Sequence, residues 1–426
     1  MTTFLIMIVI FVVLVFAGIP IAFCIGISSM SALLIDGISL EFMAQSAFSG
    51  LNSFTYLAIP MFILAGLVME SGGLSKRIVA FASTLVGNVY GGLGIIAVIA
   101  CAFFAAISGS SPATVAAIGS MLVPTMIRKG YDKDFSGALV ASSGTLGVLI
   151  PPSIPMILFA VTAEVSVSKM FMAGFLPGFL LTFALCVLVN FISRKKGYKT
   201  DEGKFHLANV WQKFKEAFWA LMAPVIILGG IYLGFFTATE ASVVAVIYSL
   251  LVGLFIYKEI KLKELPGIFT AAVTTTGTVV IILGFATTFA TYLIMSGIPD
   301  QLGTAILSIT NNRLIILTLF VVLVFFTGMF IETAALILIY TPLFLPMLRN
   351  LGVDPIHFGI IMVMGTQLGM MTPPVGVNLF VAQGISGSSI PGLTKKIMPF
   401  IFVMLAVQLV LIYVPQIVMF LPNFVK

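Results

Sequence analysis

The chain has 426 residues, of which 60% are apolar and 8% are charged, and its net charge is +6. Soluble domains carry about 25% charged residues, so this composition excludes an ordinary water-soluble fold. The apolar residues form runs of roughly 20, the length that an α-helix needs to cross a bilayer. We therefore predict an all-α polytopic protein of the bacterial inner membrane, surrounded by the lipid bilayer. Nucleic-acid binding is not indicated, because the basic residues lie in loops between these runs.

The apolar runs predict nine membrane spans, near residues 4–34, 46–71, 134–163, 168–193, 219–236, 237–257, 266–296, 356–385 and 397–421. Basic loops of membrane proteins remain in the cytoplasm, and lysines and arginines cluster at 76–77, 194–215 and 258–263. The loop with Asp36 and Glu41 carries no basic residue, which predicts that it lies outside. Counting spans from these loops predicts a cytoplasmic N-terminus and a periplasmic C-terminus at Lys426.

Two further apolar stretches, near 90–127 and 314–348, are each interrupted in the middle. The first interruption is Ser-Gly-Ser-Ser-Pro at 108–112, and the second is Phe-Ile-Glu-Thr at 330–333. In the predicted topology, each stretch has both of its ends on one side of the membrane. We therefore predict two re-entrant hairpins, the first entering from the cytoplasm and the second from the periplasm.

An internal repeat relates the two halves of the chain. A gapless shift of 222 positions superimposes matching Gly, Pro and Asp residues, among them Pro124 on Pro346, Asp132 on Asp354, Gly147 on Gly369, and Pro151-Pro152 on Pro373-Pro374. Because Gly and Pro recur where backbone breaks recur, the pattern predicts two inverted repeats, the architecture of many secondary transporters. The first covers 1–193 and the second 237–426, each with a hairpin and a broken helix (near 134–163 and 356–385). Residues 194–236 supply a basic loop, an interfacial helix near 211–219 and a connecting span.

The Pro-Pro pairs explain what a broken helix offers chemically. Each pair removes two backbone donors and blocks the preceding helical turn. Carbonyls without partners are tolerated in a membrane where they are buried in protein or line a cavity. Unwound carbonyls suit Na⁺, and half-helix N-termini suit a carboxylate substrate. The alternative is that Pro and Gly only kink packed helices.

Glu332, at the second hairpin tip, is the acidic residue most typical of a functional site, because carboxylates inside membranes are usually functional. The alternative is that it caps the second helix of that hairpin. Glu240 follows Thr237 in a capping-box pattern, which favours a structural role.

Four segments of the sequence resemble the large membrane subunit of TRAP transporters, the tripartite ATP-independent periplasmic family. They are 59–62 (IPMF), 149–153 (LIPPS), 229–241 (GGIYLGFFTATEA) and 371–378 (MTPPVGVN). The resemblance implies an elevator mechanism, a small four-helix membrane subunit and a periplasmic substrate-binding protein as partners, and Na⁺ as the driving ion. It also implies an organic-acid substrate, with sialic acid favoured and C4-dicarboxylates as alternatives.

The resemblance further implies one ion site in each repeat. The first comprises Ser108, Gly109, Ser110, Ser111, Gly144, Thr145 and Gly147, and the second comprises Glu332, Thr333, Gly365, Thr366, Gly369, Met370 and Thr372. The expected substrate residues are Ser110, Ser111, Pro151, Pro152, Glu332, Thr333, Pro373, Pro374 and Asn378.

Several other classes of membrane protein fit the sequence less well. A proton pump needs a chain of intramembrane Lys, Glu and His residues, and a channel gives no reason for matched breaks in two repeats. An enzyme is not expected, because no nucleophile-base pair or metal motif is evident. The alternative within transport is a stand-alone Na⁺-coupled carboxylate symporter, or an ion exchanger, that works without a binding protein.

Overall fold

The structure, a computed structural model, describes residues 2–87, 89–199 and 207–424. Those residues form 21 α-helices and a few short 3₁₀ or π turns, and they contain no β-strand. Seven helices are long and apolar enough to cross a membrane, or up to nine if each bent helix pair is one span. The all-helical membrane fold predicted from composition is confirmed. Residues 200–206 of the predicted basic loop and the C-terminal Lys426 lie outside the described residues.

The first apolar run is two helices, α1 (Thr2–Phe16) and α2 (Ile21–Ile35), packed against each other. The prediction of one span over 4–34 is wrong, because Gly18 has a positive φ and Pro20 follows it, so the chain turns there. The Thr3 hydroxyl lies 2.8 Å from the Asp36 carboxylate, so the two ends of this helix pair lie on one side. Hydrogen bonds from Tyr292 and Thr3 hold the pKa of Asp36 below its usual value.

The predicted placement of the N-terminus and the Asp36 loop on opposite sides is therefore wrong as well. With the Asp36 loop outside, we expect the N-terminus outside too. In a variant without native cysteines, an impermeant maleimide should label Thr2→Cys and Leu40→Cys in intact spheroplasts but not Leu262→Cys in the basic loop. Labelling of only one of the first two positions would contradict this arrangement.

The remainder of the first half begins with α3 (Leu40–Leu51), a helix separate from the span that was predicted to start at residue 46. A 3₁₀ turn at Phe54–Leu57 leads into the next element. The following helices are α4 (Ala58–Ser71), α5 (Leu74–Leu85), α6 (Gly92–Ser108), α7 (Ser111–Arg128), α8 (Lys133–Ser143), α9 (Leu146–Leu149), α10 (Ile154–Thr162) and α11 (Val167–Lys196).

The second half begins with α12 (Leu207–Tyr232), which joins the predicted interfacial helix and connecting span into one continuous helix, a correction to the prediction of two elements. Thr237 and Glu240 form the predicted capping box at the start of the next helix. The following helices are α13 (Ala238–Leu251), α14 (Leu265–Met295), α15 (Ile298–Ile309), α16 (Arg313–Gly328), α17 (Thr333–Asn350), α18 (Pro355–Met370), α19 (Val377–Ser386), α20 (Ile390–Tyr413) and α21 (Pro415–Met419). Short turns lie at Val252–Ile256 (π) and at Leu262–Glu264 and Pro422–Phe424 (3₁₀).

The offset of 222 residues recurs in the helix boundaries. Helices α7 and α17 each have 18 residues and begin at positions that the offset relates. Helices α8 and α18 also begin at related positions, and an aspartate caps each of them. Asp132 accepts from the amide of Phe135 at 2.8 Å, and Asp354 accepts from the amide of Ile356 at 2.7 Å.

In each predicted hairpin, the start of the first helix and the end of the second lie on the same side of the fold. At the base of the hairpin α6–α7, the amide of Gly91 donates to the Tyr198 carbonyl and the amide of Asp132 donates to the Tyr198 hydroxyl. At the base of the hairpin α16–α17, Arg313 and Gly352 line one cavity with Tyr413.

Helix α20 connects the bases of the two hairpins. Near its start, Lys396 lies 3.9 Å from Asp132, and at its end Tyr413 lies at the other base. Its 24 residues span about 36 Å. The two hairpins therefore enter the fold from opposite sides, as an inverted repeat requires.

Candidate functional site

The first broken helix is interrupted twice. Helix α8 ends at Ser143, the single turn α9 ends at Leu149, and Pro151-Pro152 then prevents regular helix, because neither residue has a backbone donor. Helix α10 begins after Ser153, whose hydroxyl accepts from the amide of Met156. In the second repeat, α18 runs without interruption to Met370 and α19 begins after Gly376, so the break there is shorter. Both Pro-Pro peptide bonds are cis.

The tip of hairpin α6–α7 lies directly on the first break. A Cβ on Gly147 would lie 2.5 Å from the carbonyl oxygen of Ser110, and one on Gly144 would lie 3.2 Å from that of Ser111. Gly109, with φ +61°, turns the tip and accepts a hydrogen bond from the amide of Ile154. These glycines let backbone carbonyls of the tip and the break approach each other closely.

Hydroxyl groups surround this contact. The Ser108 and Thr114 hydroxyls lie 2.7 Å apart, and the Thr114 hydroxyl donates to the Ser110 carbonyl at 2.8 Å. The Thr145 hydroxyl donates to the Ser142 carbonyl at 2.6 Å. The structure therefore brings together the seven residues predicted for the first ion site and adds Thr114, which the sequence analysis missed. Thr114 lies one helical turn beyond Ser110, which is the signal that would have found it.

Asn378 reaches the same tip from the other repeat. Its side-chain amide donates to the Ser111 hydroxyl at 2.6 Å and to the Ala141 carbonyl at 3.3 Å. The side chain is fully buried, and its Oδ1 atom has no hydrogen-bond partner among the described residues. The sequence analysis predicted a substrate contact for Asn378, whereas the structure places it in the wall of the first predicted ion site.

The tip of hairpin α16–α17 packs on the second broken helix in the same way. Gly369 lies against the backbone of Gly328, with no room for a side chain between them. The amide of Val375, after the break, donates to the carbonyl of Met329 at 3.1 Å. Backbone therefore meets backbone at this tip as well.

Gln367 is a further polar residue at the second tip. Its side-chain amide donates to the hydroxyls of Thr333 and Thr366, each at 3.2 Å. The Thr333 hydroxyl also lies 3.0 Å from the Met370 sulfur. The Oε1 atom of Gln367 is buried and has no hydrogen-bond partner in the described parts of the chain. Sequence reasoning missed this residue, although the offset of 222 pairs it with Thr145.

The other residues predicted for the second ion site lie close by. Gly365 faces Val324, where a Cβ would have an ordinary contact at 3.4 Å. The Thr372 hydroxyl donates to the Leu368 carbonyl at 2.8 Å. Glu332 occupies the N-cap position of α17, but its side chain makes no capping hydrogen bond. The capping alternative for Glu332 is therefore not supported.

A cavity of about 120 Å³ lies between the two hairpin tips. Ser110, Ser111, Glu332 and Thr333, four of the predicted substrate residues, line it. The other predicted substrate residues, Pro151, Pro152, Pro373, Pro374 and Asn378, are not among its lining residues; Pro151 and Pro152 are buried, and Pro374 is exposed.

Three helices begin at this cavity. They are α7, α10 and α17, whose first residues line it together with Pro112, Pro155 and Ala334. Helix N-termini carry unpaired amides and a partial positive charge, which favour an anion. No Lys or Arg lines the cavity in the described structure.

The donor atoms at the two tips are backbone carbonyls, hydroxyls and amide oxygens, and the second tip adds the carboxylate of Glu332. No group of three or more His, Cys, Asp or Glu side chains suitable for a metal occurs within the described ranges. Neutral oxygen ligands of unwound helices suit Na⁺. The donor set at both tips therefore fits this ion.

The known proteins that this chain resembles in sequence include permeases of TRAP transporters. The family described as "Tripartite ATP-independent periplasmic transporter, DctM component" matches residues 8–417. The chain is 42% identical to the isethionate TRAP transporter permease DctMQ of Oleidesulfovibrio alaskensis over 96% of its own length, and it spans 65% of that relative. It is 38% identical to the C4-dicarboxylate large permease DctM of Rhodobacter capsulatus, covering 97% of both chains. With the sialic acid large permease SiaM of Vibrio cholerae, the identity is 35% over 96% of both.

A solved structure, the YdaH transporter of Alcanivorax borkumensis, superimposes with a TM-score of 0.64 at 14% identity and covers 88% of both chains. At this identity the likeness concerns the fold alone. The family match and the relatives, which extend over nearly the whole chain, agree with the resemblance seen in the four sequence segments. The chain belongs to the DctM family of TRAP transporter large permeases.

Proposed function

We propose that this permease carries a small organic anion into the cell together with Na⁺. The supporting observation is the cavity between the hairpin tips, where three helix N-termini offer positive partial charge without a basic side chain. Glu332 also lines this cavity, and a nearby bound Na⁺ would offset its negative charge toward the anion. On either side of it, a broken helix and a hairpin tip present oxygen atoms suited to a cation. Anion and Na⁺ would therefore bind next to each other, and each would lower the electrostatic cost of binding the other.

The cargo that we propose is a short organic acid. The relatives' names include isethionate, C4-dicarboxylate and sialic acid as substrates. The cavity of about 120 Å³ and an adjoining one of about 150 Å³ are both smaller than the roughly 300–1,000 Å³ of typical sites for drug-sized ligands. This favours two- to four-carbon acids over the larger sialic acid, which the sequence resemblance favours. Inhibition of labelled-substrate uptake by unlabelled two- to four-carbon acids and by unlabelled sialic acid would distinguish these two substrate classes.

We propose an elevator movement as the mechanism that exposes the binding site to each side of the membrane in turn. Each hairpin packs on a broken helix, and α4 packs on both α13 and α14, while α14 also packs on the hairpin helix α17. We propose that the hairpins and broken helices move as one body against the outer helices. We also propose that a periplasmic binding protein delivers the substrate and that a small four-helix membrane subunit completes the scaffold, which the tripartite family description supports in outline.

Uptake into proteoliposomes tests this function. With both partners present, an inward Na⁺ gradient should drive accumulation of the substrate, and ATP should have no effect once the gradient is clamped. Undiminished uptake with Na⁺ absent from both sides would contradict coupling to Na⁺. Equal uptake without the binding protein would favour the stand-alone symporter instead.

A further inference from the structure

Glu70 is a carboxylate to which the proposed transport cycle assigns no role. It lies in the last turn of α4, near the end of the span predicted over 46–71, and it is half-buried. Instead of facing bulk water alone, it lines the cavity of about 150 Å³ beside the first hairpin tip. Within the described ranges, its carboxylate takes part in no hydrogen bond or ion pair.

The position of Glu70 relative to the tip follows from Gly66, one helical turn earlier on the same face of α4. A Cβ on Gly66 would lie 3.5 Å from the Ser108 carbonyl oxygen, so α4 touches the backbone of the hairpin tip at this point. Residues four apart on a helix have Cβ atoms about 5–6 Å from each other. Glu70 therefore projects beside the tip, and both Ser108 and Ser110 line its cavity.

This cavity adjoins the one between the two tips. The two share Ile63, Ser110, Ile154 and Thr275 as lining residues. Glu70 and Glu332 are the charged residues among the described lining of both cavities, so the passage has negative charge and no basic side chain. Glu70 precedes Lys76 and Arg77, which mark the cytoplasmic side.

We propose that Glu70 is an electrostatic residue that holds Na⁺ at the cytoplasmic mouth of the first ion site. This inference rests on the proposed coupling to Na⁺. Clefts lined by charge of one sign concentrate counter-ions and raise their association rates. Because Glu70 belongs to α4, outside the body that we propose to move, its charge acts on the tip when the site faces the cytoplasm. It therefore affects exchange with internal Na⁺ and not capture of external Na⁺.

The test uses proteoliposomes that contain the partner proteins, and it measures separately how uptake depends on internal Na⁺ and on external Na⁺. In Glu70→Gln, the internal Na⁺ concentration that half-inhibits uptake should rise about tenfold, equal to about 1.4 kcal/mol of binding free energy. The external Na⁺ concentration for half-maximal uptake should remain unchanged. Glu70→Asp keeps the charge and should behave like the wild type, and so should Glu41→Gln, which neutralises an exposed carboxylate on α3. Added choline chloride should reduce the difference, because salt screens charge.

A second readout does not depend on transport. In the purified protein, the Na⁺ concentration that gives half of the full thermal stabilisation should rise in Glu70→Gln and not in Glu70→Asp. Wild-type uptake without any Na⁺ dependence would overturn the proposed function itself. A Na⁺-dependent wild type with an unchanged response to internal Na⁺ in Glu70→Gln would overturn the role of Glu70 alone, and so would equal shifts on both sides.

Discussion

Replacing Gly369 by alanine is expected to abolish most Na⁺-dependent transport. A Cβ at this position would lie 2.5 Å from the Cα atom of Gly328 and 2.8 Å from its carbonyl oxygen. Neither is a flexible side chain that moves aside, so the hairpin tip must separate from the broken helix. Overpacking of this kind costs about 1–3 kcal/mol, more than the roughly 0.5–1 kcal/mol that alanine contributes to a helix relative to glycine. Uptake and thermal melting of the same purified protein measure both effects.

Gly365 provides the matched control, because it lies one turn earlier in α18 and an alanine there would keep its backbone carbonyl, the group by which a glycine could serve the predicted ion site. A Cβ there would meet the Val324 side chain at an ordinary 3.4 Å. Gly365→Ala should retain most of its Na⁺-dependent uptake and melt at or above the wild-type temperature. Similar losses in the two variants would show that the close approach of Gly369 to Gly328 has no special importance.

Replacing Gln367 by leucine is expected to weaken Na⁺ binding at the second tip by about tenfold or more, which corresponds to about 1.4 kcal/mol. The unpaired Oε1 atom is the feature that carries this prediction. Leucine removes a buried polar atom without a partner, but it also removes the two hydrogen bonds from the Gln367 amide to Thr333 and Thr366. The two effects oppose each other, so stability in the absence of Na⁺ should stay close to that of the wild type. The hydroxyl of Thr366 keeps its bond to the Val363 carbonyl. Thermal melting over a Na⁺ titration should therefore show a melting temperature near the wild-type value without Na⁺ and little stabilisation by the ion.

Gln408→Leu is the control for this variant. Gln408 is also a fully buried glutamine with an unpaired Oε1 atom, but it lies in α20 and donates to the Ile361 carbonyl at 2.9 Å. The same substitution there should leave stabilisation by Na⁺ unchanged. A loss of Na⁺ response in both variants would attribute the effect to general packing and not to a ligand.

The sequence predicted the helical breaks because proline and glycine impose backbone conformations locally. The hairpin tips at 108–112 and 330–333 and the repeat offset appear in the structure at the expected positions. The turn between α1 and α2 escaped prediction because it is built from Ala, Gly, Ile and Pro, which are as apolar as the helices beside it. Hydropathy alone does not separate one long span from two short helices.

The contact of Asn378 with the first tip and the cavity beside Glu70 also could not be predicted from the sequence. Asn378 belongs to the second repeat yet bonds to Ser111 in the first, and only the packing of α19 on α7 brings them together. Glu70 lies near a span end, where a carboxylate is usually solvated, and its cavity is formed by residues distant in the chain. Contacts between repeats depend on tertiary structure, which a local pattern does not record.

We propose that each hairpin tip, with its broken helix, forms one Na⁺ site. Equilibrium binding of radioactive sodium to the purified permease tests it most directly, with the wild type compared with Asn378→Leu and Gln367→Leu. These variants remove the unpaired amide oxygen at the first and the second tip, respectively. We expect at least two ions per wild-type chain, and each variant should lose one of them at concentrations that saturate the wild type. Full binding of Na⁺ by both variants would contradict the assignment of the ion sites to the hairpin tips.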